Sequence, residues 1–202
     1  SPKLTRCTFS ANTTSDGSGG GLDNDQGAPE LSNCTFSGNT SNYAGGGIAN
    51  WSGNLLASST TFITNQDSGD YGGGGVFNYQ ASPTFTECAF ESNYADYGGG
   101  FYNLDGAPVF QSCTFTSNSE GENEGSGGGG AIFNYDGAPK LSDCTFSYNQ
   151  SAYGAGIYNY FDAVIAANPT IARCTFSDNS SSHATDGGGA AIMNWNAQPT
   201  IY

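Results

Sequence analysis

The sequence predicts an all-β chain, a right-handed, single-stranded parallel β-helix of about seven coils, each of 25 to 31 residues with three short strands. Three observations predict it. Blocks of the form Cys-Thr-Phe-x-x-Asn begin at Cys7, Cys34, Cys113, Cys144 and Cys174, with variants at Cys88 and Thr60. Their spacings of 27, 26, 28, 25, 31 and 30 residues are those of a solenoid repeat. An apolar-x-Asn block follows each of them, and every proline opens a Pro-x-apolar block just before the next.

Taken in chain order, each element has its reason. Pro2, Pro29, Pro83, Pro108, Pro139, Pro169 and Pro199 start a short strand, and Leu55 stands in for proline in the third coil. Next, cysteine and phenylalanine lie two apart and so share one face of a strand. The phenylalanines, Phe9, Phe36, Phe62, Phe90, Phe115, Phe146 and Phe176, form one inward column. Three residues on stands an asparagine in all seven coils: Asn12, Asn39, Asn65, Asn93, Asn118, Asn149 and Asn179. A segment of variable length and a glycine run lead to the third strand, whose apolar residue is followed two positions later by Asn24, Asn50, Asn78, Asn103, Asn134, Asn159 or Asn194. At bends, asparagine can bond local backbone, tolerate left-handed torsions and bond the amide stacked on it. The glycines suit a re-entry point that needs unusual torsions or close approach. No phosphate-binding fingerprint follows any of the glycine runs.

Composition agrees. Thirty-one glycines and 11% charged residues exclude an ordinary helical domain, and no apolar run approaches a membrane span. No signal peptide is evident, and an opening in mid-repeat without methionine reads as a mature or excerpted segment. Residues 1–202 are expected to be one β-helix domain of seven coils without separate caps.

The paired signatures Phe-x-x-Asn, in every coil, and Gly-Gly-Ala-Ile, at Gly129 to Ile132 with looser copies elsewhere, resemble the repeats of chlamydial polymorphic outer-membrane proteins and related bacterial β-helix surface proteins. That resemblance covers the whole chain. It implies a right-handed β-helix at the cell surface, serving adhesion and display; no transporter barrel accompanies it in this sequence.

Several chemistries are disfavoured. Cleavage of acidic polysaccharides calls for acid–base pairs or clustered carboxylates with basic groups to hold the substrate. This chain has only Lys3, Arg6, Lys140 and Arg173, with the two arginines five coils apart. A net charge of −14 repels nucleic acid and anionic glycans. The cysteines, one per coil, lack zinc spacing, and the single histidine is His183. In-register neighbours in a parallel sheet stand about 4.8 Å apart, too far for easy disulfides, so buried ladder thiols are expected, with neighbouring disulfides as the alternative. Asp67, Asp70, Glu120, Glu122 and Glu124 fall in the variable segments and read as solvated loop charges.

Two outward stripes are candidate contact surfaces. Trp51, Tyr79, Tyr135, Tyr160 and Trp195 follow the second asparagine column, with Phe77, Tyr102, Phe133 and Tyr158 just before it. They could stack on sugars or a neighbouring molecule, or simply on one another. Thr8, Thr35, Thr61, Thr114, Thr145 and Thr175 form the other stripe, similar to the faces of ice-binding solenoids but interrupted by Ile63, Ala89 and Glu91.

The reading is a non-catalytic, extracellular structural or adhesive protein of the cell surface, with no catalytic residue, metal or cofactor. Its alternative is a carbohydrate-binding module using the aromatic stripe; ice binding and a polysaccharide lyase or hydrolase rank lower. Pro199-Thr200-Ile201 repeats the phase of Pro2-Lys3-Leu4, so copies could stack head to tail into a filament with an axial repeat of roughly 34 Å. Adjoining coils of a longer chain would serve equally. Partners are thus expected to be self or glycan, without nucleic acid or membrane insertion. Sequons at Asn12, Asn39, Asn149 and Asn179 coincide with ladder positions and are expected to stay unmodified where buried.

Overall fold

Cysteine–phenylalanine strands stack in register from one coil to the next, Phe9 on Phe36, Phe36 on Phe62, and on to Phe146 on Phe176. In the computed structural model, which describes residues 1–121, 127–162, 168–182 and 188–202, every strand pairs in parallel with its counterpart one coil away. No α-helix occurs among the described residues. The expected His183, Glu122 and Glu124 lie outside them.

The coil carries four strands where the sequence predicts three. In the second coil they are Glu30–Ser32, Thr35–Ser37, Thr40–Ser41 and Ile48–Trp51. Their counterparts build sheets of eight, seven, six and seven strands. The additional, two-residue strand exists because the asparagine before it is bonded to both neighbouring coils. That holds the backbone in register for one more step, as when the Gln66 amide donates to the Asn39 carbonyl at 2.9 Å.

Inside, the phenylalanines form a near-parallel stack, with ring centroids 4.5 Å apart at Phe9–Phe36 and 4.6 Å at Phe90–Phe115. Offset stacking of this kind adds about 0.5–1.5 kcal/mol per pair beyond area burial. The cysteines, the apolar residues of the proline strands and Ile48, Val76, Phe101, Ile132 and Ile157 complete the core. Leu55, where proline is missing, is fully buried.

Both asparagine columns are continuous ladders. Asn39 Nδ2 donates to Asn65 Oδ1 at 2.9 Å and to the Phe9 carbonyl at 2.9 Å, while its own Oδ1 accepts from the Asn12 backbone and side chain. In the second column Asn50 Nδ2 donates to Asn78 Oδ1 and to the Gly53 carbonyl, both at 2.8 Å. The left-handed torsions, however, fall elsewhere than at these asparagines. Ala11, Gly38, Thr64, Ser92, Ser117, Tyr148 and Asp178, each just before the first column, hold φ between 52° and 59°. Making the bend one residue earlier turns the asparagine side chain inward, where the ladder needs it.

All six cysteines are free thiols. Contact with the Cys113 thiol, then burial, pushes the Cys144 thiol up to about 12. Thr60 replaces the missing cysteine, its hydroxyl donating to the Ser58 carbonyl and accepting from the Cys34 amide. Of the sequon asparagines, Asn39 and Asn149 are fully buried, and Asn12 is exposed. Arg173 forms a two-bond ion pair with Asp143 of the preceding coil, and Lys3 pairs with Glu30.

Candidate aromatic groove

Alternation along the fourth strand sends the apolar residue and asparagine inward and the two residues between and after them outward. Register then stacks Ala49, Phe77, Tyr102, Phe133, Tyr158 and Met193 in one outward column, and Trp51, Tyr79, Leu104, Tyr135, Tyr160 and Trp195 in the next. The first column is outside the coil but not exposed. Phe77 is fully buried and Phe133 is 4% exposed. The variable segments of the third, fourth and sixth coils fold back over this sheet and cover it with their own tyrosines. Tyr71 packs edge-on against Phe77 at 5.5 Å, Tyr97 stacks on Phe133 at 5.7 Å, and Tyr153 lies 6.0 Å from Tyr158. The result is a second apolar cluster, separate from the main core.

Beside that cover, a groove of about 530 Å³ opens. Tyr135, Tyr160 and Trp195, three of the five expected contact residues, line it together with Tyr71, Tyr97, Tyr102, Phe133, Tyr153, Tyr158, Met193, Gly127 and Asp70. Trp51 and Tyr79 do not. They pack with Tyr43, Tyr71 and Phe77 at the other end of the cluster, with Trp51 4.8 Å from Phe77. Tyr135 and Tyr160 sit 5.1 Å apart, and Trp195, half exposed, stacks on Tyr160 at 6.5 Å and 13°. Gly128 lets the Tyr158 ring lie against the backbone, where any Cβ would collide with it.

The loop tyrosines are the residues sequence reasoning missed. Their signal was a tyrosine one or two residues ahead of the glycine run, at Tyr43, Tyr71, Tyr97 and Tyr153. What holds the loops of Tyr43, Tyr71 and Tyr153 is the short strand's inward side chain. Ser41 Oγ accepts from the amides of Tyr43 and Ala44, Ser151 Oγ from that of Tyr153, and Asp67 Oδ2 from those of Gly69 and Gly72 at 3.2 and 2.9 Å. These are turns closed by a polar side chain onto nearby backbone.

Asp67 and Glu120 therefore correct the expectation of solvated loop charges: Asp67 is fully buried and Glu120 5% exposed. Burial pushes the Asp67 carboxyl up to about 6, against the lowering effect of its bonds from Ser41 and the glycine amides. Glu120 Oε2 accepts from the Ala152 amide at 2.8 Å and from Ser151, tying one loop to the next. Asp70 does reach the surface, on the groove's edge.

The groove's electrostatics are one-sided. No lysine or arginine lines it among the described residues. Burial, then the charges of Asp162 and Asp136, raises the Tyr135 phenol, and burial with Tyr160 and Tyr153 pushes Tyr158 up to about 12. These hydroxyls are thus neutral hydrogen-bond donors at ordinary pH. No cluster of three His, Cys, Asp or Glu suited to a metal ion occurs among the described residues, and no helix there is long and apolar enough to cross a membrane. The threonine stripe is in register from Thr8 to Thr175, with Ala89 interrupting it.

A family model described as a right handed beta helix region matches residues 3–138 and again 71–202, so that the two matches together take in nearly the whole chain. No curated protein and no solved structure matches it.

Proposed function

The chain belongs to the right-handed β-helix family, and from that premise we propose that it is a non-catalytic, extracellular adhesive scaffold whose contact face is the aromatic groove, where it takes carbohydrate. The observation that carries this reading is the convergence of rings from two sources, the fourth sheet and the loops above it, on one open groove with neutral phenol donors. Flat aromatics bury the apolar faces of sugar rings while phenols bond their hydroxyls. β-Helices also occur in enzymes. Among the described residues the groove is lined by one carboxylate, Asp70, and no basic side chain. Glycoside hydrolysis calls for two carboxyls flanking the bond, which favours binding over cleavage. The resemblance of the repeats to polymorphic outer-membrane proteins supports the extracellular, cell-surface setting.

Pull-downs on insoluble glycans and a glycan array test the proposal. Saturable binding is expected, lost in Tyr160→Ala/Trp195→Ala and kept in Tyr148→Ala, which removes an exposed tyrosine from another face. Absence of saturable binding to any glycan would defeat it.

A second reading, axial self-association, has its own support. Phe9 and Phe176 are only partly covered while the five phenylalanines between them are fully buried. Flanking coils of a longer chain and a second copy would cover them equally well. Sizing and electron microscopy separate the two: concentration-dependent filaments support the copy, and a monomer at high concentration excludes it.

A further inference from the structure

Three features of the groove bear on what fills it. The first is length. Its lining runs from Tyr71 in the third coil to Trp195 in the seventh, a span of four coil-to-coil steps or about 19 Å. That is room for a chain of rings and far more than one small ion needs. The second is charge. Asp70 stands on the groove itself, and Asp105, Asp136 and Asp162 follow one per coil beside its aromatic column. The Asp105 amide bonds the Tyr135 carbonyl, the Asp136 amide bonds the Tyr160 carbonyl, and Asp136 Oδ1 accepts from the Asp162 amide at 2.8 Å. This row is close enough to act electrostatically on the Tyr135 phenol. The third is the aromatic faces themselves, which carry negative quadrupoles and attract cations, most strongly where water is displaced. No lysine or arginine is found among the described residues that line the groove.

We infer that the groove takes a polycationic glycan, a chain of hexosamine units with free amines, in preference to its neutral counterpart. Each ring stacks on a tyrosine or tryptophan, and its ammonium group meets the aspartate row or an adjacent aromatic face. An uncharged chain gains the stacking alone, and a uronic acid chain meets repulsion. This rests on the glycan reading above and adds the sign of the ligand's charge.

The test is calorimetric titration with three oligomers of equal length: free-amine hexosamine, its N-acetylated form and a uronic acid, in mildly acidic buffer that keeps the amines charged. The free-amine oligomer is expected to bind at least about tenfold tighter than the N-acetylated one at low salt. The ratio should fall toward one in about 0.5 M salt, which screens exposed charges. Asp105→Asn/Asp136→Asn should lower the ratio as well, since asparagine tolerates the left-handed torsion at both positions.

Because the whole chain carries −14, a polycation could adhere to it indiscriminately. Tyr160→Ala/Trp195→Ala keeps that charge and removes the stacking surface. If the preference survives in this variant, it belongs to the overall charge and the inference fails. Equal affinity for both hexosamine oligomers would overturn the inference and leave the glycan function standing. Binding of none of them would remove both, and binding of tetramethylammonium alone would replace the glycan chain with a small ammonium ion and overturn it too.

Discussion

Replacing Asn93 by leucine, in the middle of the first ladder, tests what holds successive coils in register. The native side chain makes four buried hydrogen bonds: Nδ2 donates to the Phe62 carbonyl and to Asn118 Oδ1, and Oδ1 accepts from Asn65 Nδ2 and from the Asn65 amide. Not all four partners are stranded by the change. Asn118 Oδ1 still accepts from the Asn93 amide, and Asn65 Nδ2 still reaches the Phe36 carbonyl. The Asn65 amide and the Phe62 carbonyl lose the bonds that Asn93 supplied. At about 1–3 kcal/mol for each buried group left unpaired, less about 1–2 kcal/mol returned by burying a larger apolar side chain, the net loss is about 3 kcal/mol. Asn12→Leu is the control, because Asn12 is exposed and its side chain gives up only the bond to Asn39 Oδ1; it should cost about 0.5 kcal/mol or less. Urea unfolding followed by circular dichroism measures both, and hydrogen exchange at the Asn65 amide reports the broken rung directly. Equal urea midpoints for the two variants, or unchanged protection at Asn65, would refute the reasoning.

Three further outcomes are expected. The raised Asp67 carboxyl favours protonation in the folded state, so its penalty is fully present above about pH 6 and is relieved as pH falls toward its ordinary 3.8. A shift of about two units corresponds to about 3 kcal/mol. Asp67→Asn should therefore be more stable than the native chain at pH 7, by up to that amount, and equal to it near pH 4, as read from melting temperatures across pH. Under denaturing conditions without reductant, a thiol reagent followed by mass spectrometry should label all six cysteines; labelling of none would show disulfides instead. Gly128→Ala should displace the Tyr158 ring and weaken glycan binding several-fold while leaving the asparagine ladders, and hence the circular dichroism spectrum, unchanged.

What could be read from the sequence was whatever the solenoid repeats identically. Phe62, Asn65 and Val76 occupy the same phase as their counterparts in other coils because one inward position demands one shape in every rung. The additional two-residue strand, third in the coil, escaped because its inward column runs Ser41, Asp67, Ala95, Glu120, Ser151 and Ser181, residues with no common size or charge. Ser41, Asp67 and Ser151 bond the loop that follows them, and Glu120 and Ser181 bond the Ala152 backbone of a neighbouring coil. The burial of Phe77 and Tyr102 was hidden for a related reason. Alternation correctly turned them out of the coil, but a coil-by-coil pattern does not show that Tyr71 and Tyr97, from segments of unequal length, return to cover them. The same limit applied to the groove. Tyr135, Tyr160 and Trp195 were legible as neighbours in one column, whereas the separation of Trp51 and Tyr79 from them follows from where the loops lie.

The asparagine ladders also give the molecule a direction. In both columns the side-chain amide of each coil donates forward to the next, Asn12 to Asn39 and Asn24 to Asn50, through to Asn149 with Asn179 and Asn159 with Asn194. Amide dipoles joined in this way point along one axis and polarise one another. Like the peptide units of an α-helix, they sum to an electrical vector with its negative end at the first coil and its positive end at the last. The solenoid is thus a polar rod, with acceptor oxygens leading at one face and donor hydrogens at the other. Any coil added at either end, from whatever source, must arrive in the same orientation.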